Sequence, residues 1–317
     1  MALVVSAHAH HGVAGLGVAG LRGPGAPLES TTSSTLPVGE TLAYLKLDDA
    51  RYETFSSDPT QPESDYAAFW ITGLGHGFTP WLSVYFFLPY HEKVDEPGGF
   101  STRGFADASV FGQLGITFDE GFRLIPETES LDDLEDWHLT LYAGLTFPTG
   151  DPNLRDDAGN IDPGKSTGFG EPSYSLGITA TKMLTERWTL NEELSVVRFQ
   201  EHRYDDGNVG HFGDELRLNS GLIYRLLTRP ERETRLDLSL ETQYLRLGRD
   251  RVNGTAQSAT GGEMLYLSPG VRFSWRRLSV GFGVKVAAWT DLNEEPDQQG
   301  SEGTEDYRLI LTVSALF

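Results

Sequence analysis

The chain has 317 residues, a formal charge of −21 and no cysteine, which excludes a disulfide framework, thiolate chemistry and the basic face that nucleic acid requires. No stretch approaches the roughly 18–20 apolar residues of a membrane-spanning helix, so any passage through a bilayer must use strands, which are short and alternate in polarity. The length allows two domains as a soft prior, yet all-β barrels of this size are commonly one.

The chain opens on MALVVSAHA, the tail of an apolar stretch followed by Ala7-His8-Ala9, an A-x-A cleavage pattern. Cleavage there predicts that residues 1–9 are the remnant of a signal peptide and His10 the first mature residue; a coincidental Ala-rich start is the alternative. His10 and His11 then form a weak transition-metal candidate beside a free amine, against an incidental pair on a tail. Residues 10–38 are too Gly-rich for a stable helix and too apolar for a solvated linker. They are expected either to fold back as a hatch into a lumen or to hang free.

Period-two segments follow at 40–48, 66–76, 80–91, 104–118, 136–147, 172–183, 187–200, 211–227, 234–248, 262–275, 278–289 and 305–317. In the ninth, Leu236, Leu238, Leu240, Thr242 and Tyr244 oppose Arg235, Asp237, Ser239, Glu241 and Gln243. In the eighth, Phe212, Leu216, Leu218, Leu222, Tyr224 and Leu226 form the apolar face. A soluble sandwich would alternate too, but these runs exceed its usual ~5–6 residues and match the ~9–11 that a tilted membrane strand needs. The connections alternate in length. Those at 77–79, 184–186, 229–231 and 276–277 are short; 49–65, 92–103, 148–171, 201–210, 249–261 and 290–304 are long and polar, with 119–135 breaking the rule. Short turns on one side and long loops on the other predict an all-β, antiparallel, up-and-down transmembrane barrel of about twelve strands over 39–317, with both termini periplasmic. The closing EDYRLILTVSALF then places an apolar face toward lipid and Phe317 in the interfacial girdle, a terminus resembling the signal read by the barrel-assembly machinery.

The polar faces supply candidates for the lumen wall: Lys46, Asp107, His138, Glu215, Arg217, Arg225, Arg235, Asp237, Glu241, Arg272, Lys285 and Arg308. Mixed signs fit a salt-bridged wall filling a narrow barrel or a constriction selecting solutes by charge and size. Tyr85, Phe87, Phe111, Tyr142 and Tyr266 are expected to point inward as well, which suits aromatic cargo. In loop 151–171, Asp151, Asn153, Asp156, Asp157, Asn160 and Asp162 offer hard oxygen ligands for calcium. Arg155 stands at the third ligand place of an EF-hand spacing, and a solvated acidic loop is the alternative. Loop 290–306 carries seven acids and no Lys or Arg, so beside anionic lipopolysaccharide it must share divalent cations or repel it.

Catalysis is not expected. No histidine has serine two residues on, the pairing seen in barrel phospholipases. Asp136-Trp137-His138 resembles the Asp-x-His of barrel proteases but falls at the periplasmic end, whereas those act outside.

SSTLPVGE at 33–40, GFTPWLSVYFFLPY at 77–90, GLTFPTGD at 144–151, STGFGEPSYSLGITATKMLTERWTL at 166–190 and the final LF together resemble the outer-membrane family named for the meta-pathway of phenol degradation (MetA-like transporters). That resemblance implies uptake of small, often aromatic or otherwise hydrophobic compounds and supplies no catalytic residues. The expectation is therefore a bacterial outer-membrane channel for a small-molecule solute, embedded among lipid and lipopolysaccharide. The alternative is a structural or metal-associated surface protein sealed by its own lumen charges.

Overall fold

Alternation over ten or more residues gives each strand one apolar and one polar face, and only closure lets such a sheet satisfy every backbone group inside hydrocarbon. The structure, a computed structural model, describes residues 23–52, 64–95, 100–118, 121–125, 137–298 and 301–317. Twelve strands span the barrel: β1 Thr41–Tyr52, β2 Ser64–Thr79, β3 Leu82–Asp95, β4 Ser109–Phe118, β5 Trp137–Thr146, β6 Ser173–Met183, β7 Trp188–Arg198, β8 Glu215–Arg229, β9 Thr234–Leu247, β10 Gly262–Trp275, β11 Leu278–Leu292 and β12 Glu305–Leu316. Thr102–Phe105 and Phe122–Leu124 are short extensions of the same sheet. Each strand pairs antiparallel with its chain neighbour, and β1 closes the ring on β12 from Leu42↔Leu316 to Arg51↔Tyr307.

The outer surface is a band of exposed leucine, valine and phenylalanine, with Leu74, Leu176, Leu194, Leu240 and Phe282 among them. Aromatic rings mark both rims. Phe78, Trp188, Trp275 and Phe317 stand at the short-turn end, and Phe105, Tyr174, Trp289 and Tyr307 at the long-loop end. That is the pattern of a lipid-facing belt between two interfaces. The inner faces are buried and largely polar.

The turns fall close to the expected positions, with three differences. Strand β2 continues through Thr79, so its turn is Pro80-Trp81 rather than 77–79. Residues 106–108 break the fourth run, where Ala106 N–H donates to Pro89 O and Phe147 N–H to Ala108 O. The eighth strand starts at Glu215, not 211, because the Gly213 N–H turns away to Asp250. Phe212, assigned to the lipid face by its spacing, instead packs on Phe169 and Phe199. On the long-loop side His202–Arg203, Val209–His211, Arg251–Val252 and Thr255–Ala256 form a separate four-stranded sheet.

Candidate functional site

Residues 23–36 lie inside the barrel. They carry six small hydroxyl residues in a row, Ser30 to Thr35, and two prolines, so they form no helix and instead give their backbone groups to the wall. From the short-turn end, Leu36 N–H donates to Ser83 Oγ (2.8 Å) and Ser33 N–H to Thr181 Oγ1 (3.1 Å), while Ser33 Oγ meets Thr179 Oγ1 at 2.8 Å. Thr31 N–H reaches Glu193 and Asn191 Nδ2 donates to Thr31 O (both 3.0 Å). The chain then returns. Arg272 Nη2 donates to Pro27 O at 2.8 Å, Gly25 N–H to Thr189 Oγ1 at 2.8 Å, and Arg225 and Arg235 both donate to Gly23 O.

The segment is therefore a bent loop whose tip, Leu28–Ser30, sits at mid-height. Two interactions fix that tip. Glu241 on β9 receives the N–H groups of Leu28 (2.6 Å), Glu29 (3.1 Å) and Ser30 (2.9 Å) and the Ser30 hydroxyl (2.8 Å). Leu28 fills a socket left by wall glycines: a Cβ on Gly270 or Gly281 would overlap its methyl groups. The neighbouring wall also crowds these positions, with Ser239 Oγ beside Gly270 and Thr312 Oγ1 beside Gly281, so loop and sheet together require small residues there.

Glu29 extends from the tip to Lys46 on β1 and, at 3.5 Å, to Lys285 on β11. The charged layer continues upward from there. Lys46 and Arg308 flank Asp48 at 3.7 and 3.8 Å, and Arg308 also binds Glu305 and Glu302. Lys285 lies 4.2 Å above the Tyr266 ring. Arg217 pairs with Glu215 at 2.6 Å, and Arg235 with Asp237 at 2.8 Å. Buried charges are costly unless paired in this way.

The expected wall residues are all buried or half-buried, but they divide by place and role. Arg225, Arg235, Glu241, Arg272, Lys46 and Lys285 contact the N-terminal segment. Glu215, Arg217, Asp237 and Arg308 pair within the wall. Asp107 sits instead at the long-loop rim, taking the N–H groups of Gly150 and Phe169 (both 2.8 Å), and His138 is buried near the short-turn end. Among the described residues, the partners that sequence reasoning passed over are Glu29, Asp48, Glu193, Glu302 and Glu305. Glu29 had a signal: it is the single ionisable residue between Arg22 and Glu40. Glu302 and Glu305 were counted as outward acids, and the structure corrects that assignment, because both are buried against Arg308.

Above the tip are two adjoining cavities that share Phe111, Ser175 and Val197. The lower, about 40 Å³, touches Glu29, Lys46, Tyr142, Glu193 and Lys285. The upper, about 80 Å³, lies toward the long-loop end between Phe69, Ile71, Phe87, Phe111, Phe169 and Phe199. Tyr44, Phe87, Phe111 and Tyr142 form a chain of ring contacts at 5.9–6.4 Å. Tyr85, Phe87, Phe111, Tyr142 and Tyr266, expected to point inward, all do. A cavity of roughly 150 Å³ accepts benzene, so the upper chamber is about half the size for one ring without side-chain movement.

In loop 151–162 the carboxylates cap their own turns. Asp151 accepts from Asn153 N–H, Asp156 from Ala158 and Asn160, and Asp162 from Lys165 N–H. The Asn160 amide and backbone N–H hold the exposed Asp156 carboxyl below its ordinary range. Among the described residues no group of three or more His, Asp and Glu side chains has the spacing of a metal site. His10, His11 and Asp136 lie outside the described residues.

A closed twelve-stranded antiparallel barrel with a lipid-facing apolar belt and a polar, chain-filled interior defines an outer-membrane β-barrel of the channel type. Residues 63–291 match the family described as "Putative MetA-pathway of phenol degradation", and the chain belongs to that family. An outer membrane channel from Pseudomonas putida F1 has the same fold, with a TM-score of 0.68 at 16% identity over 92% of this chain and 100% of that one. More distant in shape are the β domain of the Bordetella autotransporter BrkA (TM-score 0.48, 12% identity, 88% of this chain and 100% of that) and the CymD monoaromatic hydrocarbon channel (0.42, 10%, 89% and 88%). No curated protein matches the sequence.

Proposed function

We propose that this protein is an outer-membrane channel that admits a small aromatic or otherwise apolar molecule, and that residues 23–36 are its gate. The observation that carries the reading is the position of that segment. It occupies the lumen between the short-turn end and mid-height, directly below an aromatic-lined chamber on the long-loop side. Long loops face the cell exterior in such barrels, so a solute arriving from outside meets phenyl rings first, then the charged layer around Glu29, then the segment. The similar fold of the outer membrane channel from Pseudomonas putida F1 supports passage rather than catalysis. The belt implies outer-membrane lipid as the surrounding partner, and lipopolysaccharide and the barrel-assembly machinery as further ones.

Liposome flux tests this reading. Purified protein in vesicles should speed entry of small phenols or benzyl alcohol over empty vesicles more than it speeds entry of a sugar of equal mass. Equal rates for loaded and empty vesicles would favour the alternative, a barrel permanently sealed by the paired charges around Arg308 and Lys46.

A further inference from the structure

Two carboxylates of opposite origin hold the tip of the N-terminal segment. Glu241 belongs to the wall and receives the segment's N–H groups, whereas Glu29 belongs to the segment and is received by the wall. Each Glu29 oxygen takes one ammonium. Lys46 Nζ on β1 stands 2.5 Å from Oε1, and Lys285 Nζ on β11 stands 3.5 Å from Oε2. The two lysines come from the strands on either side of β12, so they bracket the carboxylate. All three side chains are at most 4% exposed. Among the described residues Lys285 has no other acid within ion-pair distance, only the Tyr266 ring. Lys46 has Asp48 besides, at 3.7 Å and shared with Arg308.

The place of the Glu29 carboxylate borders the cavities above the tip. Glu29, Lys46 and Lys285 themselves line the lower cavity, which adjoins the aromatic chamber through Phe111, Ser175 and Val197. A molecule with a ring among those aromatic residues and a short polar group below it brings that group to the two ammoniums. The other acids of the lower cavity are engaged elsewhere. Glu193 takes the Tyr142 hydroxyl, the Thr31 N–H and the Asn219 amide, and Glu302 pairs with Arg308 at 3.7 Å.

Charge balance then selects the molecule. Buried ammoniums that lose their carboxylate are costly. An aromatic acid that enters as Glu29 leaves exchanges one negative charge for another. A neutral phenol would not replace the lost charge, and an amine would add a third positive charge beside the lysines.

We propose that Glu29 is a tethered stand-in for a small aromatic monocarboxylate, whose own carboxylate takes its place on Lys46 and Lys285 with the ring against Phe111 and Tyr142. The acid can hold the lysines only when Glu29 has left them, so its binding shifts the population toward a segment with one anchor fewer. The native affinity is reduced by the fraction of molecules in which Glu29 is in place. The proposal rests on the channel reading for the solute's route and on the two lysines for its chemistry.

Titration calorimetry on the folded, detergent-solubilised protein at neutral pH tests it, with sodium benzoate, benzyl alcohol and benzylamine as probes. Benzoate should bind the native chain saturably and more tightly than the other two. Glu29→Gln removes the competing charge and leaves the wall untouched. Benzoate should then bind about tenfold or more tighter, as expected where the lysines are vacant in about a tenth of native molecules or fewer. Deletion of residues 12–32 removes the same carboxylate by another route and should show the same gain, which keeps the test decisive if Glu29→Gln disturbs the tip. In either background Lys285→Met should abolish the gain. Benzoate affinity unchanged in both backgrounds, or a gain matched by benzyl alcohol, would overturn the proposal. Liposome flux separates this from the channel reading. Benzyl alcohol that enters while benzoate shows no such gain strikes the carboxylate site alone, and the full benzoate pattern without flux of any probe supports the site and strikes the channel.

Discussion

Glu241 is the residue on which closure depends most. Glu241→Ala removes the acceptor for three backbone N–H groups and one hydroxyl of the tip at once. Hydrogen bonds to a charged group contribute about 1.5–3 kcal/mol each, but four bonds to one carboxylate do not add. A buried donor left without its acceptor costs about 1–3 kcal/mol, so about 3–5 kcal/mol for the four donors together, well short of their sum, is the working figure. At about 1.4 kcal/mol per tenfold, the ratio of lodged to released segment should fall by roughly 10²–10⁴. The alternative partners of the tip do not replace it, since Arg272 holds carbonyls and Lys46 and Lys285 hold only the Glu29 side chain. Single-channel recording in planar bilayers reads the effect as open probability, and heat-modifiable mobility on a gel confirms that the barrel is folded. Glu241→Gln, which keeps one acceptor oxygen, should show a smaller rise. A folded Glu241→Ala barrel whose open probability equals that of the native protein would refute the reasoning.

The remaining expectations concern the same loop and the barrel that holds it. Ser33 and Thr179 face each other with oxygens 2.8 Å apart in a chain without cysteine, so the S33C/T179C pair should form a disulfide that locks the channel shut until reductant is added; conductance indifferent to reductant would count against a moving segment. Leu240 lies half-exposed on the lipid face at mid-strand, and Leu240→Arg should destabilise the folded barrel by about 2–4 kcal/mol in urea titrations in lipid; a change near zero would move this face out of the membrane. Phe317 closes the seam through its N–H and carbonyl to Thr41 (2.8 and 3.1 Å) and exposes its ring. Its removal should lower the folded fraction in the outer membrane with synthesis unchanged, and undiminished assembly would show that neither seam nor ring matters.

How much of this was legible in the sequence depends on the range of each interaction. Strand faces are local. Arg235, Asp237 and Glu241 point inward because every second residue must, and the leucines between them face lipid for the same reason. Contacts between distant strands are not local. Glu29 meets Lys46 and Lys285 across 17 and 256 residues, a consequence of barrel closure and register that no window of sequence contains. The Gly270 and Gly281 socket was unreadable because its tightest contact, Leu28, lies more than 240 residues away in the chain. Glu302 and Glu305 were misplaced because composition marks a loop as acidic without showing that its last turn dips into the barrel to meet Arg308. Phe212 failed for a related reason: its spacing continued the strand, while the Gly213 N–H had a better acceptor in Asp250.

The central claim is that the lumen is closed by its own N-terminal segment, and deletion tests it most directly. A protein lacking residues 12–32 keeps the twelve strands but loses Gly23–Thr32, the part that contacts Arg225, Arg235, Arg272, Glu193 and Glu241. Planar-bilayer conductance should be low and seldom interrupted by openings for the intact chain, and steady and high for the deletion, with both barrels heat-modifiable. High conductance from the intact chain, or a deletion as silent as its parent, would contradict the account.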